Sequence, residues 1–357
     1  MVPALAVADA LRAEGAEVHF IGGPRLESKL VPEAGYELHQ VSIRPVPRRP
    51  SPAALSAICG DIGAIAQARG IVRRLRADAV FGGGGYVSLP AGFGAVSARV
   101  PLVLGEIDSH LGLANRMLSP FARRVCTALP LKGTDAEKFI VTGRPIPPFV
   151  ADRKAAHARF AIPEDVLCIV VFGGSQGARS INNAALEAFR EPCLADRARP
   201  ADPLLADLSA AARAATRVHI LHAAGERDLP QLHAPGGHYD LRGYIDGFME
   251  ALVAADLVIA RSGGSIWEIA AAGRPAVLIP YPHATSDHQT PNAEYFVAGG
   301  AALMIPDHEL SGERLLAEVT AILSEPGRLA RMAAASAALA HPDAARDIAA
   351  QVLEAAR

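Results

Sequence analysis

Ser262-Gly263-Gly264-Ser265, with Glu268 just beyond, is the stretch whose residue types and spacing point most directly to chemistry. An apolar run over 256–260 precedes the glycines, and a helical pattern over 266–272 follows them until Gly273 stops it. Strand, glycine turn and helix in that order bring free backbone N–H groups to a helix start, where an anion is stabilised. Glu268 can there either cap its own helix or reach a pair of ribose hydroxyls. A second turn of the same construction, Gly173-Gly174-Ser175-Gln176-Gly177-Ala178, joins the apolar run 167–172 to a helix from Ser180. Glycine turns between strand and helix are often only tight packing, and a lone one is a weak signal. After a further buried strand, 276–280, the polar loop 283–292 lies at the same carboxyl edge of the sheet, where open α/β sheets bind ligands. His283 and His288 in that loop have no partner at metal-ligand spacing and read as loop hydrogen-bonders.

Positioning these turns takes parallel sheets. The chain begins on a helical pattern, 2–13, before a strand at 17–21 runs into Gly22-Gly23. A doubly wound domain ordinarily opens with a strand and glycine loop, so that first strand and loop are expected to be missing. A strand at 37–42, a long helix at 53–76, strands at 79–81 and 101–104, helices from Pro90 and Leu113, and edge strands at 125–129 and 139–142 follow. The Pro-rich stretch 144–150 reads as a linker. Beyond it come a helix to about 160, the strand 167–172, a loop or helical insertion at 191–215, strands at 218–222 and 239–242, and a helix at 245–254. Helices at 315–323, 328–338 and 344–355 close the chain. The expected fold is α/β: two Rossmann-like, doubly wound parallel-sheet domains facing a cleft, spanning 1–143 and 151–340, with a closing helix in 341–357.

Composition sets the outer bounds. A chain of 357 residues suffices for two domains with their own cores. Half the residues are hydrophobic but only 5% aromatic, so the cores must be built from Ala, Val, Leu and Ile. A net charge of −2 gives no global reason to expect a nucleic-acid partner. Cys59, Cys126, Cys168 and Cys193 are too scattered for a metal knuckle or disulfide framework and suit a reducing cytosol. No apolar run approaches the length of about 20 residues that a spanning helix needs, and the N-terminus has no signal-peptide pattern.

Five segments together carry a resemblance: GGYVSLPAGFGA at 84–95, LGLANR at 111–116, GGSQGARSIN at 173–182, GYIDGFMEALVAADLVIARSGG at 243–264 and EIAAAGRPAVLIPYPHATSDHQTPNA at 268–293. In order and spacing they resemble the MurG family over nearly the whole chain. Its members are peripheral-membrane glycosyltransferases of peptidoglycan synthesis, a process tied to cell shape and division. They move N-acetylglucosamine from its UDP carrier to undecaprenyl-diphosphate-linked N-acetylmuramyl-pentapeptide, turning lipid I into lipid II. The resemblance implies the glycosyltransferase B architecture, inverting transfer without metal or cofactor, and a location at the cytoplasmic face of the cell membrane. It also implies that the second domain binds UDP-N-acetylglucosamine and the first the lipid acceptor.

Carried over residue by residue, the resemblance places Ser175 on the diphosphate, the Ile245 backbone on uracil, Glu268 on the ribose and Gln289 on the sugar hydroxyls. It adds Gln176, Gly177, Arg261, Ser262, Gly263, Gly264, Ser265, His288, Asn292 and Arg144 to the substrate-binding set. The family's N-terminal GGTxGHxxP loop is matched only by Pro3, the asparagine of its HEQN motif is Asp108, and an arginine expected after the linker's Gly-x-Pro is Pro147. With the loop histidine missing, the base that takes the acceptor's hydroxyl proton is expected to be Glu106 in preference to Asp108, with His110 a third candidate. Polar residues closing a strand end are the structural alternative for all three. Arg44, Arg48, Arg49, Arg69, Arg73, Arg74 and Arg76 beside the 53–76 helix form a candidate anionic-membrane surface, or else an ordinary solvated helix face. Two other functions stay open: transfer with another UDP-sugar or lipid acceptor, and UDP-sugar binding without catalysis.

Overall fold

The structure, a computed structural model, describes every residue except 25, 43–51, 86, 132, 136, 175–176, 193–216 and 285–286, and describes only the backbone of 52–61. The chain divides into two compact units, Met1–Pro147 with His341–Arg357, and Pro148–Ala340.

In the second unit, β7 (Leu167–Phe172) is an unbroken apolar strand buried along nearly its whole length, as a central parallel strand must be. It pairs with β10 (Leu257–Ala260) on one side and β8 (Val218–Ala223) on the other. With β9 (Tyr239–Arg242), β11 (Ala276–Leu278) and β12 (Ala302–Met304) it forms one six-stranded parallel sheet in the order β12-β11-β10-β7-β8-β9. Among the described residues the helices of this unit are α6 (Arg153–Arg159), α7 (Arg179–Ala188), α8 (Phe248–Ala254), α9 (Ile266–Ala271), α10 (Gln289–Ala298), α11 (Gly312–Ser324) and α12 (Arg328–Leu339). One core cluster joins Ile169, Val171, Ile181, Ile259 and Val277 of the sheet and α7 to Leu315 and Val319 of α11.

The first unit opens on α1 (Val2–Ala13), and its parallel strands fall into two sheets. One pairs β1 (His19–Gly22) with β2 (Glu37–Gln40); the other runs β3 (Val80–Gly82), β4 (Leu102–Glu106), β5 (Arg124–Thr127), β6 (Phe139–Val141). Its helices are α2 (Glu27–Glu33), α3 (Pro52–Arg74), α4 (Ser88–Ala98), α5 (Leu113–Leu118) and α13 (Ala344–Ala356). Helix α1 bridges the sheets. Its Val7 and Leu11 pack with Val103, Phe81 and the Ile348 and Val352 of α13, while Ala8 packs with Val31, Tyr36 and Phe20. Helix α3 packs on α4.

Several elements depart from expectation. Strand β5 lies between β4 and β6, so only β6 of that pair is an edge. The helix expected from Ile245 begins at Phe248, because Gly247 takes a left-handed φ of +76° at its N-cap and leaves Ile245 in the loop after β9. The loop expected through Asn292 ends sooner: Gln289 and Asn292 belong to the first turn of α10. Helix α2 and strand β12 were not expected, being short and without a clear period. Cys126 and Cys168 are free and buried, and burial raises both thiols to about 12. Among the described residues no helix is long and apolar enough to cross a membrane.

Candidate functional site

In the second unit the turn after β10 is tied down from several sides. Arg261, only 7% exposed, turns its guanidinium inward: Nη1 donates to the carbonyls of Ile279 (3.2 Å) and Pro280 (3.1 Å) and to Asp307 Oδ1 (2.5 Å), and Nη2 to Ser180 Oγ (2.8 Å). Ser180 Oγ in turn donates to Asp307 Oδ1 (2.7 Å). That pairing makes a buried cation tolerable, and it fixes α7, which follows one glycine turn, against the start of the other turn. Arg261 therefore contributes position, with both terminal nitrogens engaged inside the protein.

Ser262 Oγ donates to the Gln289 carbonyl (2.8 Å), and Asn292 Nδ2 donates to the Ser262 carbonyl (3.0 Å). Gln289 Oε1 accepts from the Tyr281 backbone N–H (3.0 Å), and its Nε2 lies beside Gly263, 3.6 Å from where a Cβ would stand. Asn292 is 2% exposed, and its Oδ1 has no partner among the described residues. The turn then enters α9 at Ser265 without a side-chain cap, leaving first-turn N–H groups to the backbone turn itself, and Glu268 sits half-buried in that first turn. His288 is the residue before α10, also half-buried.

The turn after β7 keeps its expected position, although Ser175 and Gln176 lie outside the described residues. Gly177 has φ +76° and donates its N–H to the Gly174 carbonyl (2.9 Å). A Cβ there would stand 2.3 Å from the Ala224 carbonyl oxygen, so only glycine fits. Beneath it lies a polar network that sequence reasoning missed. Asn182 Nδ2 donates to the Ala224 carbonyl (3.0 Å) and Asp228 Oδ2 (3.2 Å); His222 joins Asn182 Oδ1 (3.0 Å) to the Tyr239 hydroxyl (2.7 Å). Burial lowers the His222 pKa to about 3 and raises that of Tyr239. One signal was available: two histidines, His219 and His222, inside an otherwise apolar strand have to be explained by partners. Ile245 is fully buried beyond β9, next to the exposed Tyr244.

The first unit holds a second group of polar residues. Glu106 ends β4, 6% exposed, and its carboxylate accepts three bonds: from Asp108 N–H to Oε1 (3.2 Å), and from Gly112 N–H (2.8 Å) and Asn115 Nδ2 (2.9 Å) to Oε2. Asn115 Nδ2 also donates to the Gly105 carbonyl (2.9 Å). Glu106 thus holds the loop to α5 in shape. The Asp108 carboxylate is half-exposed on that loop and meets no partner among the described residues. His110 lies half-buried nearby in the chain. A small hollow beside this loop is lined by Pro3, Ala4, Phe81, Gly83, Gly105 and Glu106. Arg144 belongs to this unit too, close enough to Met1 for its charge to lower the amino-terminal pKa after burial does so. The structure therefore gathers Gly177, Arg261–Ser265, Glu268, His288, Gln289 and Asn292 within one unit, and Glu106, Asp108 and Arg144 within the other.

Residues 1–127 match the glycosyltransferase family 28 N-terminal domain and residues 168–348 its C-terminal domain. A Frankia casuarinae protein named UDP-N-acetylglucosamine–N-acetylmuramyl-(pentapeptide) pyrophosphoryl-undecaprenol N-acetylglucosamine transferase is 38% identical over 99% of this chain and 92% of its own length. The protein of the same name from Pseudomonas paraeruginosa is 36% identical over 99% and 95%. Among solved structures, the crystal structure of Acinetobacter baumannii MurG superposes with a TM-score of 0.75 at 26% identity, covering 99% of this chain and 95% of that one.

Proposed function

Since the chain belongs to glycosyltransferase family 28, and within it to the MurG family, we propose that it is the hexosyltransferase converting lipid I to lipid II. The reaction moves N-acetylglucosamine from UDP-N-acetylglucosamine to undecaprenyl-diphosphate-linked N-acetylmuramyl-pentapeptide. The observation that carries the site reading is the braced turn at Arg261–Ser265, whose neighbours Glu268, Gln289 and Asn292 surround an uncapped helix start.

In this reading the second unit holds the donor. Backbone N–H groups at the 262–265 turn face the diphosphate, Glu268 accepts from the ribose hydroxyls, Gln289 meets the sugar, and the backbone at Ile245 reads the uracil. The acceptor's 4-hydroxyl oxygen bonds to the anomeric carbon while the bond from that carbon to the diphosphate oxygen breaks, and UDP leaves with the electron pair. The hydroxyl proton goes to a carboxylate base. Asp108 suits that task better than Glu106, whose oxygens are already engaged by three donors. Inversion follows from a single displacement. The charge developing on UDP is met by fixed backbone dipoles.

Contact with the cytoplasmic face of the membrane belongs to the same proposal. Leu113, Met117 and Phe121 are large apolar residues left 72%, 46% and 56% exposed around α5, on the unit that also carries Asp108. Arg73 and Arg76 are exposed at the end of α3; Arg44, Arg48 and Arg49 of the expected basic surface lie outside the described residues.

Transfer of labelled N-acetylglucosamine to a lipid-linked acceptor tests the whole. The wild-type chain should turn over; Asp108→Asn should lose about 10²–10⁴ in kcat with UDP binding intact. Glu268→Ala should instead weaken UDP-N-acetylglucosamine binding. UDP-sugar binding without any turnover would replace the enzyme by a non-catalytic binder.

A further inference from the structure

On the two-stranded sheet of the first unit, His19, Glu37 and His39 point to the same face, because the parallel register sets His19 opposite Glu37 and Ile21 opposite His39. Their donor atoms converge. His19 Nδ1 and His39 Nε2 are 3.3 Å apart, His19 Nδ1 is 3.4 Å from Glu37 Oε2, and His39 Nε2 is 3.5 Å from Glu37 Oε1. A tetrahedral ion with bonds of about 2.0–2.1 Å sets neighbouring ligand atoms about 3.3 Å apart. The two nitrogens stand at that spacing, each nitrogen has one oxygen of the Glu37 carboxylate at nearly the same distance, and one ligand atom from each of the three residues can be chosen with all of them within 4.8 Å of one another. We propose that His19, Glu37 and His39 form a binding site for a zinc-class divalent ion, separate from the transfer site, that clamps β1 to β2.

A second, independent feature supports the assignment. The other nitrogen of His19, Nε2, lies 3.0 Å from Glu17 Oε1. A carboxylate on the far side of an imidazole is what orients a metal-binding histidine and raises its basicity. Two imidazoles and a carboxylate select zinc, cobalt, nickel or copper over magnesium or calcium. The two histidines are mostly buried, with side chains 20% and 11% exposed, whereas Glu37 is 63% exposed and leaves the fourth position open to water. Arg74 Nη2 stands 3.5 Å from His39 Nδ1; when Nε2 binds the ion, Nδ1 takes the proton and the exposed Arg74 turns outward. The site lies at the start of β1, whereas the transfer residues lie at carboxyl ends of strands. Its role is structural: a two-stranded sheet is marginal without further fastening, and a metal that binds only the folded pair stabilises it.

The untagged full chain, stripped with chelator, should bind one equivalent of zinc at micromolar concentration, melt at a higher temperature with zinc than without, and give visible tetrahedral bands with cobalt(II). His19→Gln combined with His39→Gln should abolish all three. Glu37→Gln, at an exposed position that leaves the fold intact, should weaken zinc binding by at least about tenfold. No stoichiometric binding to the wild-type chain, or binding unchanged in Glu37→Gln, would overturn the site.

Discussion

The two units solve one problem with opposite charges. Each must hold an irregular loop at the carboxyl end of an inner strand, and each places one buried ion there. In the second unit the ion is Arg261, which donates to two carbonyls, a hydroxyl and the Asp307 carboxylate. In the first it is Glu106, which accepts from two backbone N–H groups and the Asn115 amide, with no described counter-cation. A paired ion is costly to break because its partner is stranded; an anion satisfied by neutral donors is costly to neutralise because donors lose their acceptor. The same contrast runs through the sheets. The second unit has one continuous sheet around β7, whereas the first has two pieces, with β1 and β3 each paired on one edge only among the described residues.

The largest effect should therefore come from the paired ion. Arg261→Met strands Asp307 and Ser180 and should cost about 3–5 kcal/mol. In calorimetry the second unit should unfold first, and nucleotide binding should fall with it. A variant that melted like the wild type would mean that Arg261 is exposed to solvent in solution and the brace is absent.

Glu106→Gln should cost less, about 1–3 kcal/mol, because one amide nitrogen then faces donors it cannot accept. Its transfer rate should drop through loss of loop shape. Asp108→Asn, by contrast, should lose rate with no loss of stability. Equal stability losses in the two variants would erase the distinction between anchor and base.

Much of this was legible in the sequence, and the legible part follows physical rules. Buried parallel strands such as 167–172 and 257–260 are continuous apolar runs, and glycines placed after them announce the turns. Two parallel-sheet domains were accordingly readable before the structure, and the resemblance to the MurG family added the glycosyltransferase architecture. Division of labour within the site was not. Nothing local separates Glu106 from Asp108; only the three donors converging from 108, 112 and 115 do. The start of α10 was hidden because Gln289 and Asn292 read as loop polars, while their side chains close bonds to Tyr281 and Ser262 in other elements. The metal-binding set was invisible for a similar reason: His19 and His39 are 20 residues apart and meet only through strand register.

Acid should probe the second unit's loop support. His222 is held neutral by burial, with a folded pKa of about 3 against about 6.5 unfolded. Between those values the unfolded chain binds the extra proton. The contribution is therefore complete above pH 6.5 and falls as pH drops, by about 1.5 kcal/mol between pH 6.5 and 5. His222→Gln should flatten this part of the stability profile. An unchanged slope would place the acid sensitivity elsewhere.

The smallest effect tests the split sheet. Among the described residues nothing hydrogen-bonds β1 to β3, so α1 must fasten the pieces: one face packs on Phe81 and Val103, the other on Val31 and Tyr36. Tyr36 strengthens the second contact, its hydroxyl donating to Asp9 Oδ1 (2.7 Å) under the Arg12 guanidinium 4.4 Å from its ring. Tyr36→Phe keeps the ring and removes the bond, and should cost about 1 kcal/mol. If α1 is the fastener, hydrogen exchange should quicken in β1 and β2 while β4 and β5 keep their protection. Exchange that quickened equally across both pieces would mean the first unit opens as one body, and its two sheets would then share stability as fully as the single sheet around β7.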